Sequence, residues 1–341
     1  MILPATTGAI LFLCVLVFLA LGSWILPWRL GAPKLRFEIV AIDFALGAFL
    51  LALAAALTLG SMGSELAFTD SLLVSGHRAQ AAVVAAGLIA GIGNVALLAS
   101  SSLGGLAPSF LIAGALGSVV LAWTSGVRHP THIGLGTIFG LGALILAASV
   151  ARLRRAAAPP PARSKGAPKS IQIAGPGITS ILLACLAGLA FSGAAQLARY
   201  GTSGELGVAP YAAFVFISVP ALLSTVAVTF FLFNFPIQGA MLHASAYFGT
   251  RFMQHALGIA AGLIWGVGIL GCFLVRSAPG EESVVRELGL YSAFGSFVLA
   301  AAWALSVGGE PERFRTRRPL VAAALVMLAI AVYFLGYAMT K

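Results

Sequence analysis

The sequence predicts an all-α membrane protein with ten transmembrane helices, arranged as two inverted repeats of five helices each. Three observations lead to this prediction. First, the 341 residues are 60% apolar and only 9% charged, whereas a soluble domain carries about 25% charged residues. Second, the chain contains ten apolar runs of the length that a bilayer requires. Third, one glycine-rich stretch occurs twice, about half a chain length apart.

Each apolar run is about 20 residues long, which is what a helix needs to cross roughly 30 Å of hydrocarbon. Helices are expected throughout, because an open strand in lipid would leave backbone groups unpaired. The first run has no basic residue before Arg29, so we expect a retained span and not a cleaved signal peptide. In chain order, the runs are 6–27, 39–61, 79–99, 105–124, 132–151, 177–198, 210–234, 254–274, 284–306 and 318–339.

The repeated stretch is Gly87–Asn94, which returns as Gly262–Ile269 with five of its eight positions identical. In an apolar chain, such an internal repeat indicates a duplicated unit of the kind from which many transporters are built. Both copies contain glycines four residues apart, and this spacing lets another helix approach the bare backbone closely. The polar residue of the first copy, Asn94, is replaced by Ile269 in the second, which makes Asn94 a candidate site residue.

A basic, proline-rich linker at 152–176 separates a first repeat at 1–151 from a second repeat at 177–341. It holds six basic residues and three consecutive prolines, a composition typical of flexible or polyproline-like segments. The dipeptide Gly-Lys occurs nowhere in the chain, so the sequence offers no phosphate-binding loop for nucleotide-driven pumping.

The net charge of +10 is interpreted as an orientation signal and not as a nucleic-acid signal, because the charges lie between apolar runs. Fourteen of the basic residues fall on one side of the predicted membrane and six on the other. The richer side is expected to be cytoplasmic. Both termini of this predicted inner-membrane protein then face outward, and five spans per half make the two halves inverted relative to each other.

Ionisable groups inside a span are costly and are therefore candidates for function. Asp43 lies about one turn inside the second run. In one interpretation Asp43 is structural: it interacts favourably with the dipole at the start of the helix or pairs with Arg36. In the other, Asp43 binds the solute or carries a proton. Glu38 is expected to be solvated at the interface between membrane and water. Nothing in the sequence indicates that His243 or His255 lies on a solute or proton pathway. With one clear intramembrane acid, the sequence predicts no catalytic residue, no cofactor and no metal site.

Three further residues are candidates for binding a solute. The Asn94 amide could hydrogen-bond a sugar or ureide, or it could form an interhelical hydrogen bond. Trp265 lies mid-span inside the repeated stretch, where its ring faces either lipid or a cavity. Trp24 stands near the end of the first run with the same two alternatives. Gln196, by contrast, is expected to be structural.

Short segments of both halves match a known family. In the first half these are Phe18–Trp24, Ile42–Phe44, Ala56–Gly60 and Gly91–Asn94, and in the second half Ala190–Ser192, Tyr211–Phe216 and Gly262–Gly268. The chain resembles the ureide permeases and, more broadly, the ten-span drug/metabolite transporter superfamily, which includes bacterial glucose/ribose porters. The resemblance implies proton-coupled uptake of small polar solutes such as allantoin, uracil or sugars.

The sequence therefore predicts a secondary transporter of a small polar solute, with a cavity between spans 1–4 and 6–9. Asn94 would orient the solute, Trp265 and Trp24 would stack on it, and Asp43 would carry a coupling proton. The expected partners are this solute and the lipid bilayer, without nucleic acid. The alternative is an exporter of hydrophobic or cationic compounds, which a tall aromatic cavity without a hydrogen-bonding cluster would favour. A membrane enzyme and a scaffold without a cavity are further classes.

Overall fold

The computed structural model describes residues 1–31, 35–62, 67–125, 129–156, 176–278, 283–306 and 318–339. Within these residues the regular structure is helical, without strands. The helices are α1 (Thr7–Ser23), α2 (Leu26–Gly31), α3 (Phe37–Leu57), α4 (Phe68–Val74), α5 (His77–Gly104), α6 (Leu106–Thr124), α7 (Pro130–Ala156), α8 (Pro176–Gly201), α9 (Pro210–Asn234), α10 (Ser245–Phe248), α11 (Phe252–Arg276), α12 (Ser283–Ser306) and α13 (Arg318–Met339).

Ten helical segments of the described chain are long and apolar enough to cross a membrane, as the sequence predicted. α1 and α2 together form the first of these segments, Thr7–Gly31. The helix between them is interrupted at Trp24 and Ile25, and Pro27 lies in the first turn of α2, where its missing N–H costs no hydrogen bond. The short helices α4 and α10 lie in connections. Most of the predicted linker at 152–176 lies outside the described residues.

One boundary difference concerns α5, which continues past the predicted end at residue 99 through a run of three serines to Gly104. The end of α5 was predicted too early because the serine hydroxyl groups lower the local hydropathy. Inside the helix, these hydroxyls donate to backbone oxygens; Ser101 Oγ, for example, donates to the Leu98 oxygen at 2.9 Å. Gly105, with φ of 95°, then joins α5 directly to α6. A left-handed residue of this kind is one that glycine adopts without steric cost.

The two glycine-rich stretches bring helices of the two halves into backbone contact. A Cβ added to Gly87 would collide with the Ile217 backbone oxygen, so α5 and α9 touch there. A Cβ added to Gly262 would collide with the Phe44 backbone oxygen, so α11 and α3 touch in the same way. The close approach expected from the glycine spacing is therefore present in both copies, as in other small-residue helix contacts in membranes.

The remaining contacts arrange the helices around a common centre. α5 packs against α8, α11 packs against α1, α6 packs against α8, and α12 packs against α1. α6 is the most enclosed span, with 83% of its most apolar 18-residue window buried. α7 and α13 pack against each other at the periphery, where only 33% of each window is buried. Their remaining surface is apolar, as lipid contact requires.

The α3–α11 contact can be tested with Gly262→Ala. The new methyl group would meet the Phe44 backbone oxygen, an atom that cannot rotate away, so we expect a loss of about 1–3 kcal/mol of stability. The measurement is the apparent unfolding temperature of the purified protein in detergent. The control is Gly193→Ala on α8, where the methyl group meets no atom within 4 Å and helix propensity favours alanine by up to about 1 kcal/mol. Equal unfolding temperatures for the two variants would contradict the contact.

Candidate functional site

A cavity of about 160 Å³ lies between helices of both halves. α1 and α5 contribute walls from the first half, and α8, α11 and α12 contribute walls from the second. A buried cavity of roughly 150 Å³ accommodates one benzene-sized ring, so this space is sufficient for a small organic molecule. Its aromatic lining consists of Trp24, Phe110, Phe191, Trp265, Phe273, Phe294 and Phe297.

Aromatic rings close one end of the cavity. The Phe44 ring lies 4.6 Å from the Trp24 ring and 5.4 Å from the Trp265 ring, measured between centroids. The Phe110 ring lies 6.2 Å from the Trp24 ring, again between centroids. These four side chains, here called the aromatic floor, join α1, α3, α6 and α11. Ring pairs at such separations add about 0.5–1.5 kcal/mol each beyond their burial.

Asn94 is the main polar side chain in the deep part of the cavity wall. It is 2% exposed, and its Oδ1 atom accepts no hydrogen bond from any described residue. A buried polar atom without a partner costs about 1–3 kcal/mol, and such atoms are rare in native proteins. The atom itself is buried, so a ligand with a hydrogen-bond donor would reach it only after a local rearrangement of the cavity wall.

The structure brings three of the four candidate residues together. Trp24, Asn94 and Trp265 line the same cavity, although Trp24 directly follows α1 and the other two lie on α5 and α11. Their role in binding a solute stays a prediction. Asp43, the fourth candidate, is separate from the cavity wall and lies one residue before Phe44 of the aromatic floor.

The opposite end of the cavity is basic. Arg199 lies in the last turn of α8 and Arg276 is the last residue of α11, and both line the cavity. Arg199 Nη1 donates to Ser125 Oγ at 2.6 Å. Arg276 Nε donates to Thr202 Oγ1 at 3.2 Å, and its Nη2 donates to Ser203 Oγ at 3.1 Å. We call this the arginine end.

From the sequence, both arginines were expected only to contribute to the charge that sets membrane orientation, and neither was expected at the cavity. The available signal was weak, since arginine near a helix C-terminus is also expected from the dipole alone. In the folded chain the ends of α8 and α11 are linked by Arg276 Nη2, which lies 3.5 Å from the Arg199 backbone oxygen.

A buried polar cluster lies on the other side of the aromatic floor. The Asp43 carboxylate accepts a hydrogen bond from the Tyr247 hydroxyl at 2.6 Å. Its Oδ2 also lies 2.9 Å from Nδ1 of His255. The cluster therefore joins α3, the connection that contains α10, and α11. Burial and the neighbouring Asp43 carboxylate raise the pKa of Tyr247 well above its ordinary value, so its hydroxyl remains a donor at neutral pH.

One of the alternatives considered for Asp43, and the expectation about Glu38, are contradicted by the structure. Arg36 forms its ion pair with Glu38 and not with Asp43. Glu38, expected to be solvated, is 1% exposed because this ion pair folds over it. His255, for which the sequence suggested no role, is the direct partner of Asp43. The two residues are 212 positions apart, so only the folded chain reveals the pair.

Both ring nitrogens of His255 face hydrogen-bond acceptors. Nδ1 faces the Asp43 carboxylate, and Nε2 lies 3.1 Å from the Tyr247 backbone oxygen. The imidazole of α11 therefore bridges α3 and the connection that contains α10.

Comparisons with known proteins support the fold but identify neither a family nor a function. No family model matches the chain, and no curated protein matches it. The chain is similar to a solved structure described only as "Crystal structure of protein", with a TM-score of 0.52 and 16% sequence identity. The match covers 96% of this chain and 97% of that chain. A similar overall fold therefore occurs, over nearly the full length of the chain, in a solved protein.

Whether the Asn94 side chain contributes to stability can be tested by comparing it with Gln196, an amide that is hydrogen-bonded. Gln196 Nε2 donates to Thr124 Oγ1 at 2.8 Å and to Ser125 Oγ at 2.6 Å, so Gln196→Leu should lose about 1 kcal/mol of stability. Asn94→Leu removes an oxygen without a partner and should leave the unfolding temperature unchanged or raise it. If Asn94→Leu destabilises the protein as strongly as Gln196→Leu, Asn94 is a packing residue.

Proposed function

We propose that the protein is a secondary transporter that moves a small solute across the membrane by alternating access. The observation that carries this proposal is the central cavity, which has walls from both halves of the chain and an aromatic floor at one end. A solute site shared by two halves near the middle of the bilayer is typical of such transporters. The basic-residue count predicts that the arginine end faces outward and the floor faces the cytoplasm.

The helix contacts support the inverted repeat that this mechanism needs. By their order among the spans, the counterparts in the two halves are α1 and α8, α3 and α9, α5 and α11, and α6 and α12. Exchanging each helix for its counterpart turns the α5–α9 contact into the α11–α3 contact, and both pairs pack closely. The same exchange relates α5–α8 to α11–α1, and α6–α8 to α12–α1. Both glycine stretches therefore meet the second span of the opposite half, as expected for a duplicated unit that faces two ways.

The composition of the wall bears on the solute. Seven aromatic side chains line the cavity, whereas sugar sites need many hydrogen-bonding groups. Ligand sites with largely apolar walls and a few polar groups suit ligands with an apolar body. Of the two solute classes considered from the sequence, the cavity favours a hydrophobic compound with a hydrogen-bonding group over a sugar. Asn94 would orient this compound, and Trp24 and Trp265 would contact it.

The Asp43–His255–Tyr247 cluster supplies a means of coupling to protons. Its hydrogen bonds tie the connection between α9 and α11 to α3. In the proposed coupling step, transfer of a proton to or from Asp43 changes this tie, and the next residue of α3, Phe44, contacts both cavity tryptophans. His255 is 19% exposed, so it can exchange a proton with water. The other charged groups nearby are the Arg36–Glu38 pair and the exposed Arg251.

Alternating access can be tested without knowing the solute, because Cys272 lines the cavity. In a variant with Cys14→Ala and Cys185→Ala, Cys272 is the remaining thiol. A membrane-impermeant maleimide should label it from the outer face, and in a fraction of molecules from the cytoplasmic face. Labelling in right-side-out and inverted vesicles provides the measurement. The control adds Cys272→Ala, which should abolish labelling. Access from one face alone at every pH would contradict the proposal.

Coupling is tested with Asp43→Asn, which keeps the size of the side chain and removes its charge. In proteoliposomes with an imposed proton gradient, this variant should not concentrate any solute that the native protein concentrates. It should still exchange that solute in counterflow, because the cavity is unchanged. The panel comprises allantoin, uracil, glucose and benzamide, and His255→Gln should behave like Asp43→Asn. Unimpaired proton-driven uptake by Asp43→Asn would remove Asp43 from the coupling step.

A further inference from the structure

Two short helices occupy equivalent places in the two halves of the chain. α4 lies in the connection from α3 to α5, and α10 lies in the connection from α9 to α11. Five spans separate the two connections, so they lie on opposite sides of the membrane. The transport proposal uses Tyr247 of the second connection and assigns no role to the outward surface of either.

The outward surface of the α10 connection is apolar. Phe248 is 82% exposed, and Phe252 and Met253, in the first turn of α11, are 84% and 67% exposed. The two phenylalanines are the most exposed aromatic side chains of the described chain. Apolar side chains gain free energy when they leave water, and a group of exposed ones marks a contact surface for a partner.

The polar groups of this connection make their contacts in the opposite direction, toward the protein. The Tyr247 hydroxyl donates to the Asp43 carboxylate of α3 at 2.6 Å, and Gln238 Oε1 accepts from Ser102 Oγ of α5 at 3.2 Å. A connection surrounded by water has the reverse arrangement, with its large apolar side chains inside. The medium that fits the outward surface is therefore lipid.

The α4 connection shows the same arrangement. Leu73 and Val74 are 87% and 52% exposed. The polar contacts again lie on the inner side, where Gln80 Nε2 donates to the Leu72 oxygen and to the Oγ of the buried Ser75, each at 2.9 Å. An apolar outward surface in the same connection of both halves belongs to the duplicated unit and not to one loop.

Helix lengths place both connections at the depth of the lipid headgroups. α11 begins at Phe252 and has 25 residues, and α5 begins at His77 and has 28, which corresponds to roughly 37 and 42 Å. Both helices exceed the hydrocarbon thickness of about 30 Å. Apolar side chains on a helix in the headgroup layer reach the upper part of the acyl chains.

Charge distinguishes the two surfaces. Arg251 directly precedes Phe252, is exposed, and forms no ion pair with any described residue. On the other side of the membrane, the exposed Arg78 in the first turn of α5 is accompanied by the exposed Asp70 of α4, so that surface carries both signs. An arginine beside apolar side chains matches a leaflet that contains anionic phospholipids.

We infer that α4 and α10 are interfacial helices whose exposed apolar side chains insert into the two leaflets, and that Arg251 pairs with the phosphate of an anionic phospholipid beside α10. The occupant of both surfaces is phospholipid. The Phe248 ring lies 5.5 Å from the Tyr247 ring, measured between centroids. Lipid bound at α10 is thus separated by one side chain from the Asp43 cluster.

The test places a fluorophore on each surface of the full-length protein in nanodiscs. The three native cysteines are replaced by alanine, and Phe248→Cys, Leu73→Cys or Glu205→Cys is labelled with a nitrobenzoxadiazole group. Glu205 is exposed in the connection from α8 to α9 and serves as the control in water. We expect phospholipids with a nitroxide on the upper acyl chain to quench the labels at 248 and 73, and aqueous iodide to quench the label at 205.

A second measurement tests the role of charge. Phosphatidylglycerol is titrated against phosphatidylcholine in mixed micelles, and the emission of the label at 248 gives the midpoint. Arg251→Gln should raise this midpoint about fivefold, because one cation near an anionic lipid surface is lost, and Arg251→Lys should keep the native midpoint. Arg78→Gln makes the same change on the opposite side and should leave the midpoint unchanged. The label at 73, near Asp70, should respond equally to both phospholipids.

The other occupants give different outcomes. Iodide quenching at 248 as strong as at 205 would mean that the surface faces water and would overturn the inference. Cross-linking between two copies through the cysteine introduced at 248, without quenching by lipid, would assign the surface to a second copy. An unchanged midpoint in Arg251→Gln would remove the pairing of Arg251 with lipid. No solute enters these measurements, so failure here and failure of the transport proposal are distinguishable.

Discussion

Backbone contact at glycine is the constraint on which the rest of this structure depends. Lipid tails are as apolar as leucine, so helices in a bilayer gain little from hiding apolar side chains and associate through close packing. Gly87 fixes α5 against α9, and Gly262 fixes α11 against α3. Four spans are thereby positioned without large side chains between them. The larger rings on these and the neighbouring helices then fill the centre incompletely, and the cavity is the space they leave.

Polar groups are few, and their distribution divides the molecule into layers. Two arginines stand at one end of the cavity, the aromatic floor closes the other, and the Asp43 cluster lies beyond the floor. Each charged group in these layers has hydrogen-bonding partners, as burial demands. Asn94 Oδ1 is the exception among the cavity-lining side chains of the described chain. The polar layers thus coincide with the places where a solute or a proton would have to be handled.

The sequence predicted the parts of this arrangement that are local. Apolar runs identified ten spans, and glycine spacing identified the helix contacts, because both are properties of neighbouring residues. Asn94 and Trp265 were recognisable because each interrupts a repeated stretch. His255 and Tyr247 were missed because they meet Asp43 across 212 and 204 positions, and the two arginines because their convergence depends on how α8 and α11 end. Pairings of this kind are set by tertiary packing, which periodicity does not encode.

The single-residue turn at Gly105 has a mechanical consequence. Since no flexible segment separates α5 from α6, a tilt of one must carry the other with it, and the two behave as one rigid lever with Gly105 as its elbow. The connection from α9 to α11 is much longer and is held by side chains. The molecule therefore combines a stiff corner between α5 and α6 with a side-chain latch between α9 and α11, so rearrangement would begin at the latch while the corner keeps its angle.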